Sequence, residues 1–354
     1  MRLSGRDYDR GALARLAGDV SAAGGVRSVV LDDGAERGIR ALEFRTGAGL
    51  NFDVLVDRAM DLGTAEFRGN GFGWRSATGF RHPGLHEYAD DDGLSMMRSF
   101  SGLLLTAGLD HTLFGAEVDA SQYRYPPKRT VRNGLHGRVA NLPARLHGYG
   151  ERWDDDETCV LWAEGEVRQA AIFGEHLRLT RRVEAPVGGT EIRLTDTVRN
   201  AGFDPTPHMY LYHVNIGWPF LDEGARFELP VERTVWQSDS VAEQGVSNVE
   251  VPAPRKGFVE QVYEHVLKPD EHGIARPRLV NERLGVFFEL AYDTTRFPAF
   301  FQWLHLREGA YAIAFEPSTH HVAGDQAARD DGTMIFLEPG EERRYTTTFR
   351  VGTL

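Results

Sequence analysis

A single cysteine, Cys159, stands among 354 residues, so neither an intramolecular disulfide nor a cysteine-built metal cluster can form. Its setting, Thr158 to Trp162, alternates like a strand and suits a buried structural thiol better than a reactive one. No run approaches the ~18 apolar residues needed to cross a bilayer, and Met1 to Asp7 carries no apolar leader. The expectation is a soluble, cytoplasmic protein with no membrane partner. Basic residues are also in deficit, 40 against 52 acidic, and the net charge of −12 disfavours a nucleic-acid partner. Repeats, low-complexity tracts, nucleophile motifs and phosphate-binding loops are all missing from the sequence.

What remains is rich in short alternating segments. Leu177 to Val183, Ile192 to Val198 and Tyr345 to Val351 each alternate apolar and polar residues, the period of a strand with one wet face. Val187-Gly188-Gly189-Thr190 predicts a hairpin between the first two. Val286 to Ala291 and Tyr311 to Phe315 are denser in apolar residues and predict strands covered on both faces. Helices are few. Leu13 and Leu16 predict a short one over residues 9–17, stopped by Gly24-Gly25, and residues 257–267 fit a helix or an irregular segment because Phe258, Val262 and Val266 recur every four. The fold class expected is all-β, a large antiparallel β-sandwich with few short helices. Residues 1–24 form a helical or irregular lead-in, and residues 25–354 form one domain.

Three segments place proton-transfer groups beside turns. Glu316 ends an apolar strand just before Pro317, where burial would make its carboxylate a base near neutral pH. Alternation in the segment Met209 to Pro219 groups Leu211, His213 and Asn215 on one strand face, with Tyr210, Tyr212 and Val214 on the other. His136 lies in Asn133-Gly134-Leu135-His136-Gly137-Arg138, where the glycines allow close approach to a ligand and Arg138 can fork to hydroxyls. Trp74, Trp218 and Trp303 are candidate platforms for the apolar face of a sugar, although a core role is the default for each. His208, His213, His320, His321, Asp110 and His111 could supply metal ligands, but in no established spacing, so no metal and no cofactor are expected.

These segments resemble the galactose mutarotase-like (aldose 1-epimerase) superfamily. Asn133 to Gly137 is similar to the family's Asn-x-x-His-Gly motif, His213 with Asn215 and Gly217 to a compressed form of its second histidine motif, and Glu316 to its base. Pro339-Gly340-Glu341 with Tyr345 is similar to its closing strand. The resemblance runs from about residue 25 to the end and implies a β-supersandwich. It also implies an aldose 1-epimerase in which Glu316 and His213 are catalytic and Asn133, His136, Arg138 and Asn215 bind substrate. Segments particular to this branch add Arg58, Thr106 and His111 as pocket candidates, and Trp303 completes the expected set. The expected partner is a small carbohydrate, and a homodimer is compatible with the sequence. A metal-dependent sugar isomerase or lyase and a non-catalytic sugar-binding module remain open as alternatives.

Overall fold

The alternating segments become the strands of three large sheets. In the computed structural model, which describes residues 1–123 and 129–354, strand His176–Pro186 buries Leu177, Leu179, Val183 and Ala185 on one face and leaves the intervening residues half-covered. It pairs antiparallel with Glu191–Asn200 through the Gly188 turn. Gly188 has φ +81°, and a Cβ there would lie 2.5 Å from the Arg2 carbonyl oxygen, so the turn requires glycine.

The largest sheet has nine strands. Its main path runs Arg145–Trp153, Cys159–Ala170, His176–Pro186, Glu191–Asn200, Glu342–Thr353, Val286–Asp293, Arg278–Asn281 and Arg226–Glu228. A six-stranded sheet is ordered Val231–Gln237, Gln261–Leu267, Ala299–Arg307, Ala310–Ser318, Leu211–Gly217 and Leu104–Ala107. A five-stranded meander from Gly25 to Gly71 is the third. One apolar core draws on all three, with Phe52, Leu179, Tyr212, Phe288 and Phe315 among its members. The short helix Arg10–Ala17 is capped by Asp9, which accepts from the Ala12 amide, and it sinks Leu13 into that core while Leu16 stays exposed. No helix among the described residues is long and apolar enough to cross a membrane.

Two expectations are corrected. Residues 261–267 form a strand with neighbours on both sides, Val231–Gln237 and Ala299–Arg307. Positions four apart share a face in a helix and in a strand alike, so the Val262 and Val266 spacing could not separate the two. Val286–Asp293 is fully covered on only one face, because Phe287 on the other lies under the guanidinium of Arg278, at 4.4 Å, rather than under a second layer. By contrast, residues 312–318 are buried on both faces.

Between the sheets lies a buried ionic cluster. Arg181, fully buried, donates to Asp196 at 2.7 Å, to Asp61 at 2.5 Å and to Thr106 Oγ1 at 2.8 Å. Tyr210 and Tyr212 donate to the same Asp196 oxygen at 2.7 and 2.6 Å, and Thr106 donates to Asp61. Removing one partner from such a cluster strands the others in an apolar interior. Arg181→Leu should therefore cost about 3–5 kcal/mol or prevent folding. Urea denaturation checks it, and a loss below ~1 kcal/mol, the size of an ordinary point change, would show that the cluster does not hold the sheets.

Candidate functional site

Leu211–Gly217 divides the core from a cavity. Tyr212, Val214 and Ile216 point into the main core, while Leu211 packs with Phe301 and Ala107 on the opposite face, which also carries His213 and Asn215. Next to it runs Ala310–Ser318, in a register that pairs Leu211 with Ser318 and Val214 with Phe315. That register sets His213 across from Glu316, with His213 Nε2 and Glu316 Oε1 3.1 Å apart and both side chains about 95% buried. The contact is close but misaligned for a hydrogen bond, and Glu316 Oε1 has no other partner among the described residues.

The imidazole tautomer follows from its other neighbour. Asn215 Nδ2 donates to the Gly102 carbonyl at 3.1 Å, which leaves Asn215 Oδ1 to accept from His213 Nδ1–H at 2.5 Å. His213 Nε2 therefore carries a lone pair toward Glu316. Burial, aided by the nearby Glu260, pushes the Glu316 carboxyl well above its ordinary range. Burial and the neighbouring His136 push His213 well below its own, against the bond from Asn215. Both shifts favour the uncharged forms, so the one transferable proton of the pair lies preferentially on the carboxyl.

His136 enters from a loop. It sits at φ 58° and Gly137 at φ 71°, and a Cβ on Gly137 would lie 2.4 Å from the Gly108 oxygen and 2.5 Å from the His111 oxygen. The glycine is what lets this loop close onto Gly108 and His111. The Leu113 amide donates to His136 Nδ1 at 3.3 Å, leaving Nε2–H free to donate. The His136 and His213 rings meet edge to face at 5.6 Å. Burial and the neighbouring His111 lower His136 to about 3, so it is neutral across the ordinary pH range.

A cavity of about 340 Å³ is lined by His136, His213, Glu316, Glu260, Trp74 and Trp303, together with apolar side chains. Phe100 and Trp303 press edge-on against His213 at 4.7 and 5.4 Å, and Trp303 Nε1–H donates to Glu260 at 2.8 Å. Such an arrangement can move a proton at Glu316 and His213, donate a hydrogen bond from His136 and stack an apolar ring face.

Other expected residues stand away from the cavity wall. Arg58 is buried, but it donates to the carbonyls of Ala140, Arg81 and Ser99 and so braces loops. Arg138 lies 4.2 Å over the Tyr88 ring and is drawn toward Asp110. His111 is tied to the Phe114 carbonyl at 2.7 Å, and Asn133 pairs into a short strand opposite Ala116. Thr106 belongs to the Arg181 cluster, Asn215 acts behind His213, and Trp218 is 69% exposed. The candidate metal ligands are dispersed: His208 is held by Leu109 and Tyr345 and His321 by Glu264, and no group of three metal-ligating side chains converges among the described residues. Glu260, Met96 and Phe100 line the cavity without having been singled out. Glu260 was obscured by the ambiguous pattern of 257–267, and only the Met96-Met97 pair before Phe100 hinted at the others.

A family model described as "Domain of unknown function (DUF4432)" matches residues 36–351. No curated protein matches the chain. Among solved structures, a protein provisionally named an aldose 1-epimerase from Klebsiella pneumoniae superposes with a TM-score of 0.82 at 23% identity, over 92% of this chain and 83% of that one. A galactose mutarotase-like protein from Clostridium acetobutylicum gives 0.64 at 11%, over 93% and 98%. An aldose epimerase homologue from C. elegans gives 0.54 at 11%, over 88% and 98%. The fold is therefore galactose mutarotase-like, an all-β supersandwich.

The upward shift of the Glu316 carboxyl has a consequence for stability. A carboxyl whose folded pKa lies above its unfolded value, 4.5, keeps a proton that the unfolded chain releases, so its contribution turns increasingly unfavourable as pH rises above 4.5. Glu316→Gln removes that term. Its melting temperature should exceed the parent's by a margin that grows from acid to neutral pH, as thermal melts in matched buffers would show; a margin independent of pH would mean that Glu316 is ionised in the fold.

Proposed function

This chain belongs to that family of unknown function, and we propose that it is a carbohydrate-active isomerase, an aldose 1-epimerase interconverting sugar anomers. The observation that carries the reading is the His213–Glu316 pair, 3.1 Å apart on adjacent strands and open to a cavity that His136 also lines.

The proton inventory of the pair matches ring opening. Opening a pyranose removes one proton from the anomeric hydroxyl and adds one to the ring oxygen, so a catalyst needs one empty and one filled site. With the shared proton on His213, Glu316 accepts from the anomeric hydroxyl while His213 Nε2–H protonates the ring oxygen. The aldehyde that results turns about its C1 to C2 bond. Glu316, now protonated, returns its proton to C1's oxygen as His213 recovers the other, closing the opposite anomer. The resting placement of the proton, on the carboxyl, is the one used in closing. His136 Nε2–H holds a hydroxyl or the charge developing on the ring oxygen, and Asn215 fixes the His213 tautomer. An acid and a base each give typically ~10²- to 10⁴-fold, which is enough without a cofactor.

Exchange NMR of anomer interconversion tests this. Glu316→Gln should abolish acceleration with little loss of sugar binding, and His213→Asn should slow it by about two orders of magnitude or more. Near-native exchange in either variant would remove that residue from the mechanism. The rate should depend on pH with a fall on each side. It should fall on the acid side below the ordinary histidine value of 6.5, when a second proton fills the pair, and on the alkaline side when the single proton is lost.

A further inference from the structure

The polar atoms of the cavity are few and largely committed. Ser76 Oγ donates to the Phe100 carbonyl, Thr78 Oγ1 to the Gly79 carbonyl, and His305 Nδ1 is bound to the Ala310 carbonyl at 2.7 Å. That leaves His136 Nε2, the His213–Glu316 pair, the outer nitrogen of His305, Glu260 and the indole N–H groups of Trp74 and Trp236 to meet a ligand. These suffice for the ring oxygen, the anomeric hydroxyl and a hydroxyl or two. Much of the remaining lining is apolar, including Met96, Leu135, Val262 and Phe301. A sugar hydroxyl turned against that wall would give up its water and gain no partner, which disfavours binding.

Charge narrows the ligand further. Among the described residues no lysine or arginine lines the cavity, whereas two carboxyl groups, Glu260 and Glu316, do. Three arginines that flank lining residues in the sequence are engaged elsewhere, Arg75 with Glu36, Arg98 with Asp91 and Arg138 over the Tyr88 ring. Two apolar lining residues, Met97 and Phe114, are also left 48% and 62% exposed, so an apolar group on the ligand has surface to cover at the mouth.

We infer that the substrate is an uncharged sugar in which an apolar group replaces at least one hydroxyl, a deoxy or O-alkylated aldose, and not a phosphorylated, sulfonated or carboxylated one. The inference rests on the anomer-exchange reading of this cavity.

The test is exchange NMR with the purified full-length protein on D-glucose and D-galactose, their 2-deoxy, 6-deoxy and 6-O-methyl derivatives, glucose 6-phosphate and glucuronic acid. At least one deoxy or methylated sugar should exceed its parent in kcat/KM by about tenfold, the discrimination one well-placed apolar group supplies, and neither anion should be accelerated. In Phe114→Ser, altered only at the mouth, the ratio of the preferred sugar to its parent should fall several-fold. Parents turned over faster than every derivative, an accelerated anion, or an unchanged ratio in Phe114→Ser would overturn the inference and leave the epimerase reading intact. No acceleration of any sugar would instead overturn the reading on which it rests.

Discussion

One guanidinium joins the three sheets. Arg181 extends from the nine-stranded sheet to Asp61 at the start of a strand of the five-stranded meander and to Thr106 on the six-stranded sheet, while Asp196 on its own sheet gathers the hydroxyls of Tyr210 and Tyr212. Taking these charges out of water is costly, and only near-complete pairing offsets that cost. Such a cluster tolerates few alternative packings, because any shift of one sheet leaves a charge without its partner. Its directional bonds fix how the sheets meet where apolar packing alone would allow sliding.

The same strand that anchors the cluster presents the proposed acid-base pair. Tyr212, paired across strands with Thr106, reaches toward Asp196, and the next residue, His213, points the opposite way into the cavity. A one-residue slip would exchange the two faces, placing an imidazole in the ionic cluster and a tyrosine in the cavity. The cluster thus holds the register on which the His213–Glu316 distance depends. The two sides solve burial differently. On the core side Arg181 and its aspartates are bonded to one another; on the cavity side burial shifts both groups toward neutrality, and an oxygen of Glu316 is left without an aligned partner. That oxygen belongs to a residue of the cavity wall and is available to a ligand hydroxyl.

How much of this was legible follows from locality. Strand alternation reports which side chains share a face, so the hairpin at Gly188, the closing strand with Tyr345 and Phe349, and the opposite directions of His213 and Tyr212 could be read from spacing alone. Glu316 was legible as a buried carboxyl after an apolar run, but not as an interior strand residue: the strand runs on through Pro317 to Ser318. Arg58 and Arg138 were not legible, because a guanidinium meets a ligand or a carbonyl according to where distant loops run, and Arg58 finds its partners at Arg81, Ser99 and Ala140. Glu260 was hidden for a different reason: a repeat of four fits both helix and strand, and it is the bond from Trp303, which pairs across strands with Val262, that ties it to the cavity.

Sheet and loop residues therefore divide the labour of the site. His213 and Glu316 stand on adjacent hydrogen-bonded strands, so their separation is set by the sheet and is hard to alter without breaking the pairing. His136, Met96, Met97 and Phe114 come from connecting segments, where close backbone approaches at Gly134 and Gly137 are strict local demands. In the proposed mechanism the sheet fixes where the proton moves, and the loops decide which sugar brings its anomeric carbon there. Loop substitutions can then change the substrate while leaving the pair's geometry in place, and this is the physical reason a fold shared at 11–23% identity need not imply a shared sugar.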